Sequence, residues 1–236
     1  MYSIHEAERP PDVVGAEDHI LVVIGHPDDE TVLHGQYIQD AIAKGADVHV
    51  AAATTGNEST INARFWVPGF VRCGGRRHEA ASAAQRLGIP EQNLHFLHVT
   101  DGEVHQHLDA LTYWLGGLML AHNITKAVTP GPDGYDKHPD HIAADAAAMA
   151  AAGLAKAQGK AITLLRLDAR GQGELQLPVD TANKIWATLA HFSQFPGFRL
   201  FGKLWLPRRT KCYLAKYADL VYGAETYRVD FAQNTV

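Results

Sequence analysis

An α/β fold of three layers, with helices on both faces of a mainly parallel sheet, is predicted by three features of the sequence. Short β-branched apolar runs alternate with longer helical patterns from about residue 20 to residue 167. The runs end at polar or turn-forming segments: His26-Pro27, Thr55-Gly56, Asp101-Gly102 and Pro130-Gly131-Pro132. The first run, Ile20 to Gly25, is continuously apolar, the character of a strand buried on both faces, as a parallel sheet requires.

The first strand is His19 to Gly25, and a helix follows from about Thr31 to Lys44, closed by Gly45. Asp47 to Thr54 forms the second strand. Arg72 to Leu87, rich in Ala with charge on one side and stopped by Gly88-Ile89-Pro90, is a helix, and Leu94 to Val99 the third strand. A turn at Asp101-Gly102 leads into a helix from His105 to His122 and a fourth strand from Thr125 to Thr129. After a Pro/Gly loop, an Ala-rich helix runs from about Pro139 to Ala157. Beyond Gly159, Ile162 to Leu167 and Glu174 to Leu177 are expected to pair as a hairpin across Asp168 to Gly173, with a helix from Thr181 to Phe192. Phe198 to Leu206 and Tyr227 to Phe231 have no assignment. With no repeat or linker, the expectation is a single domain over residues 1–236, Rossmann-like, with a C-terminal extension.

Of the 236 residues 46% are hydrophobic, enough to build a core, which excludes a disordered chain. The net charge of -5, with basic pairs only at Arg76-Arg77 and Arg208-Arg209, argues against a nucleic-acid surface. No apolar run is long enough to span a membrane, and the polar start from Met1 to Asp18 lacks an export signal, so a cytoplasmic protein is expected. A homo-oligomer is left open. Cys73 and Cys212 form no disulfide framework and are expected to be reduced thiols. Among the fourteen histidines, His34, His49, His95, His98, His105, His107 and His122 stand at strand or helix positions where structural roles are expected.

In an open α/β sheet the ligand crevice lies outside the carboxyl ends of the strands. The first strand delivers His26-Pro27-Asp28-Asp29-Glu30 there, and the fourth, after its loop, delivers Tyr135-Asp136-Lys137-His138-Pro139-Asp140-His141. Parallel strands bring both clusters to one rim. Imidazoles mixed with carboxylates suit a divalent transition metal, zinc above all. His26 and Asp29, three apart at a helix start, can face one side and leave Asp28 free. His138 and His141 have the same relation, so one can reach the metal while the other faces the space beside it. A zinc held by His26, Asp29 and His141 keeps a fourth position for water, the catalytic pattern, and lowers that water's pKa toward about 7. One His-Pro or Asp-Asp is an ordinary turn or helix cap. Two clusters at one rim exceed what capping needs, and burying them together without a cation is costly.

These clusters resemble the signatures of a known family. Val23-Ile24-Gly25-His26-Pro27-Asp28-Asp29-Glu30 is similar to AHPDDE, and His138-Pro139-Asp140-His141 to HPDH, of the zinc-dependent de-N-acetylases called the LmbE or PIG-L family. Its members include enzymes that deacetylate N-acetylglucosaminyl inositols. Weaker likenesses lie in Arg76-Arg77-His78-Glu79 ahead of Leu87-Gly88, in Thr100-Asp101-Gly102, and in Lys184 with His191-Phe192-Ser193-Gln194. The resemblance therefore runs from about Ile20 to Gln194. It implies that His26, Asp29 and His141 hold one Zn2+ per chain, with Fe2+ as the alternative in the cell. Asp28 is then the general base, and His138 is a protonated partner of the transition state, oriented by Asp140. Tyr135 resembles a tyrosine that polarises the substrate carbonyl and commonly stands one residue from HPDH; here Asp136 and Lys137 lie between. Gly25 replaces the family's usual Ala, an exchange expected to be harmless. Arg76 and Asp101 are the candidates for binding sugar hydroxyls.

The activity so implied is hydrolysis of an N-acetyl group on a small-molecule amino sugar or glycosylated compound, giving free amine and acetate. A thiol-conjugate amide or a formyl group as the scissile bond is the alternative within the hydrolases. A non-catalytic nucleotide-binding module is the alternative outside them, yet no GxGxxG, and no GxxxxGK followed by Ser or Thr, follows the first strand. GxSxG and HExxH are also absent, which argues against serine hydrolases and thermolysin-type proteases.

Overall fold

The computed structural model describes residues 14–57, 69–168, 175–177, 181–191 and 225–231. The segments 1–13, Phe198 to Leu206, Ser193-Gln194, Arg208-Arg209 and Cys212, with the side chain of Cys73, lie outside the described residues. In chain order the elements are β1 (His19–Ile24), α1 (Asp29–Val32), α2 (Gly35–Ala43), β2 (Asp47–Thr54), α3 (Gly69–Leu87) and β3 (Leu94–Val99). They continue with α4 (Leu108–Ala121), β4 (Lys126–Thr129), the single turn α5 (Gly134–Lys137), α6 (Pro139–Ala157), β5 (Thr163–Leu167), β6 (Leu175–Leu177), α7 (Thr181–Thr188) and β7 (Glu225–Phe231).

Among the described residues, seven strands form one sheet in the order β3-β2-β1-β4-β5-β7-β6, with β1 to β5 parallel and β7 antiparallel to both β5 and β6. The expected hairpin between the fifth and sixth strands is therefore wrong, because β7 inserts between them and pairs Leu167 with Tyr227 and Leu175 with Tyr227. A strand from near residue 230 outcompetes the local turn, a choice that no local pattern encodes. The order reverses at β1, whose neighbours are β2 and β4, and that reversal opens a crevice at the carboxyl ends of β1 and β4.

Alternation along the strands sends successive side chains to opposite layers. Ile20, Val22 and Ile24 of β1 pack with Tyr37, Ile38 and Ala41 of α2 and Ala84 and Leu87 of α3. Leu21 and Val23 face Leu111, Leu115 and Met119 of α4 and the alanines of α6. Burying each such Leu, Ile or Val contributes about 1.5–3 kcal/mol. Ala144, Ala147, Ala148, Ala151, Ala152 and Ala155 recur at helical spacing and are fully or almost fully buried, so α6 presents a smooth face to β1 and α4. Asp145 of α6 takes Arg166 Nη2 at 2.5 Å and Nε at 3.0 Å, a two-point pair that ties α6 to β5.

The helix expected over Thr31 to Lys44 is two helices, α1 and α2, broken at Leu33-His34. The restart has a physical cause remote in sequence. The Glu225 carboxylate accepts the backbone N–H groups of Gln36 (2.8 Å) and Tyr37 (2.9 Å), capping α2 with negative charge at its N-terminus. Glu225 is itself paired with the buried Lys184 ammonium at 2.6 Å. His34 at the break is fully buried beside Tyr227, and burial lowers its pKa to about 3. Its unfolded-state pKa is near 6.5, so the unfolded chain binds the extra proton and stability falls as pH drops below about 6.5 toward the folded value. Wild-type unfolding free energy should decline over that window by up to about 1.4 kcal/mol per pH unit more than that of His34→Phe. Denaturant titrations between pH 7.5 and 4.5 check this, and equal slopes in the two proteins would refute it.

Among the described residues no helix is long and apolar enough to cross a membrane.

Candidate active site and metal centre

At the carboxyl end of β1 the chain must leave the sheet and enter α1 within four residues, and it does so through a rare backbone conformation. Asp28 has φ 138°, a region that residues with a side chain seldom occupy. Three contacts hold it there. Its N–H donates to Glu30 Oε2 at 2.9 Å, and Arg76 from α3 donates to both the Pro27 carbonyl and Asp28 Oδ1, the latter at 3.1 Å. Strain stored at a site persists only where its surroundings determine it this fully. Glu30 is held in turn by His191, whose Nε2 lies 2.6 Å from Glu30 Oε1, and both are buried.

The same turn points His26 and Asp29 to one side, where His141 from the first turn of α6 meets them. His26 Nδ1 is 3.2 Å from His141 Nε2. Asp29 Oδ2 is 3.6 Å from the former and 3.1 Å from the latter. Tetrahedral ligands about 2.0–2.1 Å from a zinc ion stand about 3.3 Å apart, so the triangle has the dimensions of a metal's ligand set. His26, His138 and His141 also gather their ring nitrogens within 4.8 Å of one another, a looser set. The triangle that includes Asp29 fits a single cation more closely.

The outward nitrogens of both imidazoles in the triangle are engaged, as those of metal-ligating imidazoles are. His26 Nε2 is 2.9 Å from Asp140 Oδ2, and His141 Nδ1 is 3.1 Å from the Gly134 carbonyl and 3.3 Å from Asp136 Oδ1. Each remaining nitrogen is thereby turned toward Asp29. Burial lowers the His26 pKa, yet the Asp140 and Asp29 carboxylates outweigh it and hold it at about 9. Burial likewise lowers His141, and Asp29 with Asp136 lifts it well above the usual imidazole range. Asp29, raised by burial, is held well below the usual carboxylate range by His141 and His26. The triangle is thus built to hold positive charge, as ring protons or as a cation in their place.

Asp28 differs from its neighbour. Burial raises its pKa to about 6, against the opposing charge of Arg76 and with help from Asp29, the value of a carboxylate that can take a proton near neutral pH. His138, the N-cap of α6, accepts the Asp140 N–H at 3.2 Å through Nδ1, which leaves Nε2 as the donor in the neutral ring. Its pKa is lowered by burial and by the neighbouring His26 and His141.

Two expectations change in the structure. The Asp140 carboxylate, expected to orient His138, hydrogen-bonds His26 and accepts Gly102 N–H at 2.6 Å and Val104 N–H at 3.2 Å. Arg76, expected to bind sugar hydroxyls, is 3% exposed and faces Asp28. A Cβ at Gly56, which has φ +72°, would collide with the Arg76 guanidinium, so only glycine lets the end of β2 pass that close. Gly25 stands in a narrow place beside the triangle. A Cβ there would stand 2.7 Å from His141 Cδ2 and 3.5 Å from Asp29 Oδ2. Gly25→Ala should therefore displace the His141 ring and weaken zinc binding by the about 10- to 100-fold that follows from disturbing a ligand's orientation. Competition with a chelator measures this, and unchanged affinity would show that the ring can shift freely.

Tyr135, in α5 with φ 59°, is half-buried and packs against the core layer of α2 and α3. Asp101 is half-buried on the turn beside the site and accepts Gly56 N–H at 3.1 Å, while its own N–H donates to Asn57. Glu30, Glu225 and Asp136 were not singled out by sequence reasoning. Glu30 stands inside the first cluster, and its position next to two carboxylates was the available signal.

Similarity to known proteins follows these residues. The chain is 33% identical over 164 residues to a 1D-myo-inositol 2-acetamido-2-deoxy-alpha-D-glucopyranoside deacetylase of Rhodococcus jostii (strain RHA1), which covers 60% of this chain and 56% of that protein. The chain spans about half the length of the curated relatives it matches. Its fold is similar to that of an N,N'-diacetylchitobiose deacetylase from Pyrococcus horikoshii, with a TM-score of 0.72 and 19% identity over 91% of this chain and 84% of that one. It is also similar to that of a 4-carboxy-2-hydroxymuconate hydratase from Pseudomonas putida KT2440, with a TM-score of 0.67 and 19% identity over 93% and 98% of the two chains. Those two likenesses show a shared fold, and the second shows that this fold is not tied to one reaction. The family model described as GlcNAc-PI de-N-acetylase matches residues 21–152, from inside β1 through both signature clusters and into α6, and the chain belongs to that family, PIG-L.

Proposed function

We propose that this chain is a metal-dependent hydrolase that removes the acetyl group from an N-acetylated amino sugar, releasing acetate and the free amine. The observation that carries this reading is the donor triangle of His26 Nδ1, Asp29 Oδ2 and His141 Nε2 beside the separately held carboxylate of Asp28. Family membership, and relatives whose names specify an acetamido sugar on inositol, support the choice of bond and substrate class. His26, Asp29 and His141 are the proposed holders of the ion, with zinc favoured by two imidazoles and one carboxylate. When bound, such an ion supplies Lewis acidity, which draws electron density from an amide carbonyl and brings the pKa of water at its open position toward about 7.

The protein's own groups complete the reaction. Asp28 takes the proton of the attacking water and then delivers it to the amide nitrogen, without which the amine is too basic to leave. Arg76 keeps Asp28 in place and ionised in the resting site. The Nε2–H of His138 donates to the oxygen that becomes negative as the carbonyl turns tetrahedral. Asp140 fixes the tautomer of His26, and Gly134 with Asp136 fixes that of His141. Asp101, on the turn that joins Gly56 to Asp140 through Gly102, is the proposed contact for a sugar hydroxyl. Tyr135 is given no part in the chemistry, so Tyr135→Phe should leave kcat little changed, and a loss of several hundredfold would bring the tyrosine into the site.

The test is a substrate panel with zinc-loaded protein: N-acetylglucosaminyl inositol, free N-acetylglucosamine, an N-formyl sugar and a thiol-conjugate amide, with acid and amine both quantified. Acetate in equal amount to amine from the first, at higher kcat/KM than from the last two, is expected. Turnover of the formyl or thiol-conjugate amide alone would reassign the substrate.

A further inference from the structure

The second histidine cluster lies at the other end of the sheet. His49 is the third residue of β2 and pairs in register with Leu21, five residues before His26, so about 16 Å of strand separates it from the reaction centre. His49 lies on the same face as Ala51 and Ala53, and Ala51 is the register partner of His95 on β3. That face is covered by α4, whose C-cap is His122. Three histidines expected to be ordinary strand and helix residues are thus brought together from β2, β3 and the end of α4.

Their geometry goes beyond stacking. His49 Nδ1 is 3.1 Å from His95 Nε2, and one nitrogen from each of His49, His95 and His122 falls within 4.8 Å of the others. The His122 ring centroid is 4.2 Å from that of His49 and 5.1 Å from that of His95. The far nitrogen of His49, Nε2, is 3.2 Å from Asp47 Oδ2, while Asp47 Oδ1 accepts from Asn93 at 2.9 Å. A carboxylate on the outer nitrogen fixes a ligand imidazole's tautomer and turns the inner lone pair toward a metal, the arrangement also present at His26 with Asp140. Burial lowers the His49 pKa against the pull of Asp47, and burial with the neighbouring imidazoles lowers that of His95 to about 4, so both rings are uncharged at neutral pH. His49 is buried whereas His95 and His122 are half-exposed, which leaves a path from solvent. Carbonyls at the carboxyl end of α4 add negative potential beside the cluster.

We propose that His49, His95 and His122 form a second site for a divalent transition ion of the zinc class, which pins the edge strand β3 and β2 to the end of α4. Imidazole donors select zinc, copper or nickel over magnesium and calcium. The edge from His49 to His95 already has ligand-pair length, and the half-exposed His122 ring closes the third corner by side-chain rotation. No net proton is released from these rings on binding, since the His95 hydrogen moves from Nε2 to Nδ1. The alternative is a plain His–His hydrogen bond with no affinity for metal.

The test uses zinc alone, with the full chain stripped of metal by a chelator. His26→Ala/His141→Ala removes the reaction centre's ligands, so calorimetric titration of this variant reads only the second site. One zinc equivalent per chain and a higher Tm with zinc are expected, both lost on adding His95→Ala or His122→Ala. Asp47→Ala in the same background should lower zinc affinity about 10- to 100-fold. If that background does not fold, the wild type serves instead: two equivalents should fall to one in His95→Ala/His122→Ala with acetate release unchanged. No zinc heat in the first background, or zinc uptake by the wild type indifferent to His95 and His122, would overturn the proposal. The acetate assay reports separately on the reaction centre, so either claim can fail without the other.

Discussion

Asp28→Asn is expected to keep zinc and to lose kcat by about 10²- to 10⁴-fold, the cost of a missing general base. Asn preserves the side chain's shape, and its carbonyl oxygen can still accept from Arg76 Nη2, which lies 3.1 Å from Asp28 Oδ1. It cannot take a proton from water. The strained backbone is held mainly by contacts that do not involve the side-chain charge, from Asp28 N–H to Glu30 and from Arg76 to the Pro27 carbonyl, so the turn should survive. The donor triangle should survive with it, because Asp28 is not one of its corners. Zinc stoichiometry after dialysis and kcat at saturating zinc measure the two halves of the claim. Loss of metal in Asp28→Asn would move Asp28 into the ligand set, and full activity would remove it from catalysis.

His141→Ala should abolish both stable zinc binding at the reaction centre and turnover. Removing this ring leaves His26 and Asp29, and two protein ligands do not hold a zinc ion against a chelator. Asp29→Asn should also weaken zinc binding, since an amide is a poorer ligand for a cation than a carboxylate, and it loses the charge that balances two imidazoles. The adjacent pair Asp28-Asp29 thus separates by kind of defect: one variant holds metal without turning over, the other sheds metal. With zinc also bound by the second histidine cluster, stoichiometry in His141→Ala should fall from two to one per chain. A metal content unchanged by His141→Ala would show that the triangle is not the ligand set.

Where structure is decided locally, the sequence was sufficient. The ends of β2 and β3 were legible because mainly apolar runs stop at Thr54-Thr55-Gly56 and Val99-Thr100-Asp101, and α6 because Pro139 opens it and Gly159 follows it. The two signature clusters were legible because a parallel sheet must bring them to one rim. Partners from distant chain positions were not. Glu225 caps α2 from 189 residues away, which breaks a helix that periodicity alone extends through His34. β7 enters between β5 and β6 and replaces a plausible hairpin. Asp140 follows His138 by two residues, yet its carboxylate reaches His26, 114 residues earlier, because the N-terminus of α6 is laid across the end of β1. Arg76 is drawn inward by the buried Asp28, a charge whose burial the sequence does not reveal. Gly25 and Gly56 likewise acquire their significance only from the side chains packed against them, His141 and Arg76.

The central claim is that a cation held by His26, Asp29 and His141 makes this chain an amide hydrolase. Titrating metal-free protein with zinc while following the initial rate of acetate release from an N-acetylated amino sugar tests it most directly. The rate should be absent without metal, rise in proportion to the zinc that His141→Ala cannot bind, and remain absent in His141→Ala at every zinc concentration. Acetate release by the metal-free protein, or equal zinc-dependent rates in the wild type and His141→Ala, would contradict the account.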